Sequence, residues 1–194
     1  LDKPNDKTPE IVKKLSKKIK LKVIEGKKNL GYAGAMSSGL KAAKNDIVFY
    51  SDSSGKHQAR DFWKLIKQEK NYDIITGLRS PRTDPLIRRG ITFIQRIIVS
   101  LFFSTPFYDF NTGYKIIHKN IIENVLDDCK YMKQSFSSEL LVRAYKKGYT
   151  IKNIKVIFKD RIGKNTGTNY RNLPKIIKKS LRGYFLLKRE LLRN

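Results

Sequence analysis

An α/β fold, built on a mostly parallel sheet flanked by helices, is what this sequence predicts, and three observations carry the prediction. Short apolar runs of strand length alternate with stretches of helical periodicity through the first 80 residues. The most apolar run, Ile47-Val48-Phe49-Tyr50, is continuous, which reads as a buried strand central to such a sheet. That run ends in Asp52-Ser-Ser-Gly-Lys-His57, and in open α/β sheets ligands sit beyond the carboxyl ends of the strands. Asp, Ser and Gly are also ordinary turn residues, so this segment alone leaves a plain turn open.

Element by element, residues Pro9 to Lys20 read as a helix with Thr8 at its N-cap and proline at the first helical position. Lys22-Val-Ile-Glu25 reads as a strand, Gly34 to Lys44 as a small-residue helix and Asp46 to Ser51 as the central strand. Asp61 to Glu69 forms a helix with Phe62, Leu65 and Ile66 on one face, followed by a strand over Tyr72 to Thr76. A loop rich in Pro and Arg (Pro81, Arg82, Pro85, Arg88, Arg89) then leads into an apolar helix over Ile91 to Phe103, closed by Pro106. After Asp109 come a strand through Lys115 to His118, helices over Lys119–Asp127 and Ser137–Lys147, and a strand over Lys152–Phe158. The tail, Leu173 to Leu192, is a basic amphipathic helix, which either binds a membrane surface or packs on the domain.

A length of 194 residues suits one domain with a sizeable core. The organisation expected is a domain over residues 1–170 and the basic helix over 171–194. A net charge of +25 implies attraction to polyanions: anionic lipid head groups, nucleotide phosphates or nucleic acid. Charge without a recognised stacking motif is weak support for a nucleic-acid module, so no specific nucleic acid is expected. The single Cys129 excludes an internal disulfide and suits a reducing compartment. The polar, charged start does not read as a signal peptide, and no run of about 18 uncharged apolar residues exists. Helix 91–103 carries Arg96 and is flanked by basic residues, which suits lying on an anionic membrane rather than spanning it. A core helix with a solvated basic entry is the other reading.

The segment Asn29-Leu-Gly31-Tyr-Ala-Gly34-Ala-Met-Ser-Ser-Gly39, which leads into the central strand, resembles the family-2 glycosyltransferases. Within them it is most similar to the polyprenyl-phosphate mannose and glucose synthases. Their Asp-x-Asp-Gly-Gln-His-like metal motif stands here as Asp52-Ser-Ser54-Gly55-Lys56-His57, without the second carboxylate. Further matches are Gly77-Leu-Arg79, Asp109-Phe-Asn-Thr112-Gly113-Tyr-Lys115, Phe136-Ser-Ser-Glu139 and Arg161-Ile-Gly163-Lys164-Asn-Thr166. The motifs follow the family's order across roughly residues 2–170.

The resemblance implies a GT-A fold whose first strand and first nucleotide-binding loop precede Leu1. It implies a donor site at Asn29, Gly31, Asp52, Ser54, Lys56 and His57, and catalytic carboxylates at Asp52 and Asp109. Acceptor or donor phosphate would be held by Arg79, Arg88, Lys115, Arg161 and Lys164; Asp109 would act near the sugar or acceptor, while Glu139 orients an arginine or is structural.

Leaving diphosphate must be stabilised by a metal ion or by fixed cations. Asp52 can ligate Mg²⁺ or Mn²⁺, but Ser54 is a weak neutral ligand and protonated Lys56 repels the ion, so Lys56 is expected to replace part of the metal's charge. A lipid phosphate is already ionised near neutral pH and needs cationic positioning rather than a base. The function expected is therefore inverting transfer of a hexose from a nucleoside-diphosphate sugar to a polyprenyl phosphate. The place expected is the cytoplasmic face of a membrane, with the protein peripheral to it. A saccharide acceptor, a non-catalytic derivative and a basic nucleic-acid module are the alternatives.

Overall fold

The computed structural model describes residues 7–25, 29–81, 86–106, 109–159 and 173–193, apart from the side chains of Arg88, Leu173 and Pro174. The chain falls into two compact units, residues 1–43 and 44–194. The expected boundary near residue 170 lies outside the described residues.

The first unit holds helices α1 (Thr8–Ser16) and α2 (Gly31–Ala42). Lys7, not Thr8, occupies the N-cap of α1, and Thr8 is already helical; no side chain caps the helix. Residues 20–25 carry no regular structure, so the strand expected over Lys22 to Glu25 does not form. A strand exists only through pairing, and no described segment supplies this one with a ladder.

In the second unit a four-stranded sheet is formed by β1 (Ile47–Ser51), β2 (Ile74–Arg79), β3 (Tyr114–His118) and β4 (Ile151–Val156), in the order β1-β3-β2-β4. β3 runs antiparallel to both β1 and β2, and only β2 and β4 are parallel. The α/β class holds, but this sheet is mixed rather than mostly parallel. β1 is not central: it lies at an edge of the described sheet, and Ile47 and Phe49 are each 38% exposed. A continuous apolar run has no period, so the sequence could not reveal that one face of β1 is open. β2 and β3 occupy the middle of the sheet and are almost wholly buried.

Leu65 of helix α3 (Phe62–Ile66) packs with Ile75, Tyr114, Ile116 and Val156 in a core flanked by Phe62, Ile66, Tyr72 and Ile154. This is the face expected for the helix, on a shorter element entered through a 3-10 turn at Ala59–Asp61. Helix α4 spans Leu86–Phe103, so Arg88 and Arg89 belong to the helix and not to a loop before it. Helices α5 (Lys119–Val125) and α6 (Phe136–Lys146) follow β3, and α7 (Leu173–Leu191) closes the chain.

α4 buries Val99 and Phe103 and exposes Leu86, Ile87, Phe93, Ile94 and Leu101. α7 buries Tyr184 and Leu187 and exposes Ile177, Phe185 and Leu186. The two helices meet where the Phe102 and Phe185 rings stack edge to face, 5.1 Å apart, with Lys188 over Phe102. Among the described residues no helix is long and apolar enough to cross a membrane.

Candidate active site

Asp52 leaves the end of β1 with its N–H donating to the Gly113 carbonyl at 2.8 Å. Its Oδ1 accepts from the Ser54 N–H (3.1 Å) and the Ser54 hydroxyl (2.5 Å), which folds the loop back on the carboxylate. The Asp52 Oδ2 lies over Gly113, where a Cβ would stand 2.5 Å from it. Glycine is needed there because any side chain would displace the carboxylate.

The second carboxylate of the site is spoken for. Asp109, 1% exposed, accepts from Arg79 Nε at 2.8 Å and Nη2 at 2.7 Å, a two-pronged ion pair. Burial pushes its carboxyl up, but the hydrogen bonds and charge of Arg79, helped by Arg96 and Lys115, hold it below the usual range. Lys115 is fully buried, and its ammonium donates to the Thr112 carbonyl. Burial brings its pKa down to about 7, opposed by Asp109 and Asp52.

An aromatic wall backs these groups. His57 stacks on Tyr114 at 4.8 Å, leans on Phe158 at 5.2 Å and bridges to Phe158 through the backbone. Its ring is held below the ordinary histidine value by burial first, with Asp52 opposing; Arg79, Lys115 and Asp109 also act on it. Both of its ring nitrogens are enclosed, with no hydrogen-bond partner among the described residues. The Lys56 ammonium lies 4.9 Å and the Arg79 guanidinium 5.3 Å from the centre of the Phe158 ring.

Asp52, Ser54, Lys56, His57, Arg79, Asp109 and Lys115 are thus gathered within the second unit. Asn29 and Gly31 lie in the first unit, where the Asn29 side chain accepts the Gly31 N–H at the start of α2. Arg161 and Lys164 lie outside the described residues, as does the side chain of Arg88. Glu139 is fully buried and accepts the N–H groups of Lys130, Tyr131 and Met132 while pairing with Arg143. These contacts fit both readings of Glu139, the one that orients an arginine and the structural one. Sequence reasoning missed Tyr114, Phe158 and Arg96 as neighbours of the site. Arg96 had a signal, a charge inside an apolar helix; Phe158 had none.

A protein-built metal centre does not fit these residues. No group of three or more His, Cys, Asp or Glu side chains among the described residues could hold an ion. Asp52 offers one uncommitted oxygen, Asp109 is committed to Arg79, and Lys56 adds positive charge on the same loop. Hard divalent cations take several oxygens, which this set does not provide.

The glycosyl transferase family 2 profile matches residues 1–141. The chain belongs to that family. It is similar to the Uncharacterized protein MJ1222 of Methanocaldococcus jannaschii, 28% identical over 191 residues, 89% of this chain and 75% of that one. It is 24% identical over 168 residues to the dolichyl-phosphate hexose transferase of Haloferax volcanii, covering 84% of this chain and 70% of the relative. The glycosyltransferase AglD of the same organism matches at 26% over 154 residues, 76% of this chain but 25% of AglD.

Two solved structures share the fold. Glucosyl-3-phosphoglycerate synthase from Mycobacterium tuberculosis superposes with a TM-score of 0.67 at 13% identity, over 94% of this chain and 66% of that one. The mannosyltransferase PcManGT from Pyrobaculum calidifontis, solved with GDP-Man and Mn²⁺, superposes with a TM-score of 0.65 at 17% identity. This chain spans 53% of PcManGT. The fold is accordingly the GT-A glycosyltransferase fold.

Proposed function

We propose that the protein transfers a hexose, with inversion, from a nucleoside-diphosphate sugar to a polyprenyl phosphate at the cytoplasmic surface of a membrane. One observation carries the reading: Lys56, Arg79 and Lys115 gather near the Asp52 strand end, and among the described residues neither Asp109 nor His57 is placed there to act as a base. Asp109 is engaged by Arg79, Asp52 holds Ser54, and the His57 nitrogens are enclosed. A hydroxyl acceptor needs a base to take its proton; an ionised phosphate attacks without one. The name of the Haloferax dolichyl-phosphate relative supports the same acceptor class.

Asp52, the retained carboxylate of the family's metal motif, stands at the donor diphosphate. Lys56 supplies fixed positive charge there, replacing part of what a Mn²⁺ or Mg²⁺ ion contributes. Arg79, positioned by Asp109, and Lys115 complete the electrostatic surroundings, with Arg88, Arg161 and Lys164 on the acceptor side. The exposed apolar residues of α4 and α7 rest on the membrane surface.

The test uses the whole protein in detergent with radiolabelled nucleotide sugars and a polyprenyl phosphate. Transfer to the lipid phosphate is expected, and Asp52→Asn is expected to lower kcat roughly a hundredfold or more while leaving the melting temperature intact. Equal transfer to free saccharides without lipid phosphate overturns the acceptor; near-native turnover by the variant removes Asp52 from the chemistry.

A further inference from the structure

A second cationic surface lies between the 130–135 loop and α7, and none of the residues gathered at Asp52 lines it. Its cations are Lys130 and Lys133 from the loop and Lys179 and Arg182 from the helix, with Leu186 at its edge. Lys130 is paired with Glu190 at 3.3 Å. Lys133, Lys179 and Arg182 have no carboxylate within ion-pair distance among the described residues, so their charge faces the groove unneutralised.

Buried polar groups hold both walls. Glu139 accepts three successive loop N–H groups, from Lys130 at 3.1 Å, Tyr131 at 2.9 Å and Met132 at 2.6 Å. Arg143, pinned by Glu139, donates to Glu190 of α7 at 2.9 Å. The Gln95 amide donates to both Ser135 and Tyr184, each at 3.1 Å, tying loop and helix to α4. At Gly183 the helix backbone rests on the loop: a Cβ there would come 2.8 Å from the Tyr131 carbonyl oxygen. A surface fixed from beneath at this many points keeps its cations convergent without further ordering cost.

We propose that this groove binds the phosphate head group of an anionic bilayer lipid. Charge complementarity names the phosphate. The bilayer as its source follows from continuity, because Leu186, at the groove's edge, is exposed, as are Phe185 and Ile177 on the same helix. Apolar residues beside convergent cations match a surface whose phosphates lie directly above an acyl region. The inference rests on the membrane placement proposed above and adds a defined head-group site to it.

The whole protein is mixed with phosphatidylcholine vesicles with and without phosphatidylglycerol, and partitioning is read by co-sedimentation. The native protein is compared with Lys133→Gln/Lys179→Gln/Arg182→Gln and with a control, Lys67→Gln/Lys70→Gln/Lys155→Gln, that removes the same charge elsewhere. Thermal melts confirm that both variants fold. With roughly fivefold in affinity per cation, the groove variant is expected to lose about a hundredfold on anionic vesicles, and the control only a few-fold. Equal losses in the two variants, or a groove variant that binds like the native protein, overturn the groove and leave membrane placement standing. A native protein that binds no vesicles overturns both. Inorganic phosphate that raises the melting temperature of the native protein but not of the groove variant, while both bind anionic vesicles equally, would assign the groove to a free phosphate and overturn the lipid.

Discussion

Asp52 and Lys56 stand four residues apart on one loop, and their opposite charges give the loop its chemistry. The carboxylate is shaped by Ser54 and by the absence of a side chain at Gly113; the ammonium lies against the Phe158 ring. One fixed positive charge beside a diphosphate supplies part of what a divalent ion would, and repels that ion as well. Donor binding by the native protein is therefore expected to change little between EDTA and Mn²⁺. Lys56→Gln should bind more weakly in EDTA and recover with Mn²⁺. Isothermal calorimetry of both proteins in both buffers checks this, and strict metal dependence of the native protein would make Lys56 a plain loop residue.

Among the elements, α7 is attached by polar groups as well as by the buried Tyr184 and Leu187. Glu190, about one-fifth exposed, receives Arg143 and Lys130 as ion-pair partners and a hydrogen bond from Tyr131. Burial pushes its carboxyl up, but these partners prevail and hold it at about 2. An unfolded glutamate titrates near about 4.3, so the stabilisation is fully present above that pH. It is lost as pH falls from there through about 2. Glu190→Gln is expected to lower the melting temperature at pH 7, with the difference from the native protein shrinking steadily below pH 4 and vanishing near pH 2. Thermal denaturation followed by circular dichroism across that range is the measurement. A constant difference would mean that Glu190 acts through packing alone.

At the scale of the whole molecule, a net charge of +25 meets an apolar surface contributed by two helices. Neither feature alone places a protein on a bilayer: charge is screened within about 8 Å at physiological salt, and single exposed apolar residues are commonplace. Together they predict binding to anionic vesicles that weakens as salt rises and a much lower affinity for neutral ones. Ile94→Ser/Leu101→Ser, on the exposed side of α4, is expected to weaken binding at high salt more than the loss of a surface lysine does. Co-sedimentation at low and high salt reads both effects. Equal binding to neutral and anionic vesicles would leave the charge without a role.

By itself the sequence determined the α/β class, the family, most of the elements and the strand-end loop carrying Asp52. These are local properties: apolar runs, helical periodicity and motif residues at fixed spacing survive in one dimension. α6 lies within a residue of its expected bounds, and Leu65, Phe62 and Ile66 face the core as the period of their helix required. Strand direction and sheet order were not legible, because a continuous run such as Ile47 to Tyr50 has the same pattern at an edge as in the middle. Only the tertiary structure decided that Asp109 is bound to Arg79, that Lys115 is buried, and that Phe158 stands behind His57 and Lys56. The Asp109 and Phe158 contacts join residues 30 to 102 positions apart, and they depend on the antiparallel register of β3 and the crossover to β4, which no local signal encodes.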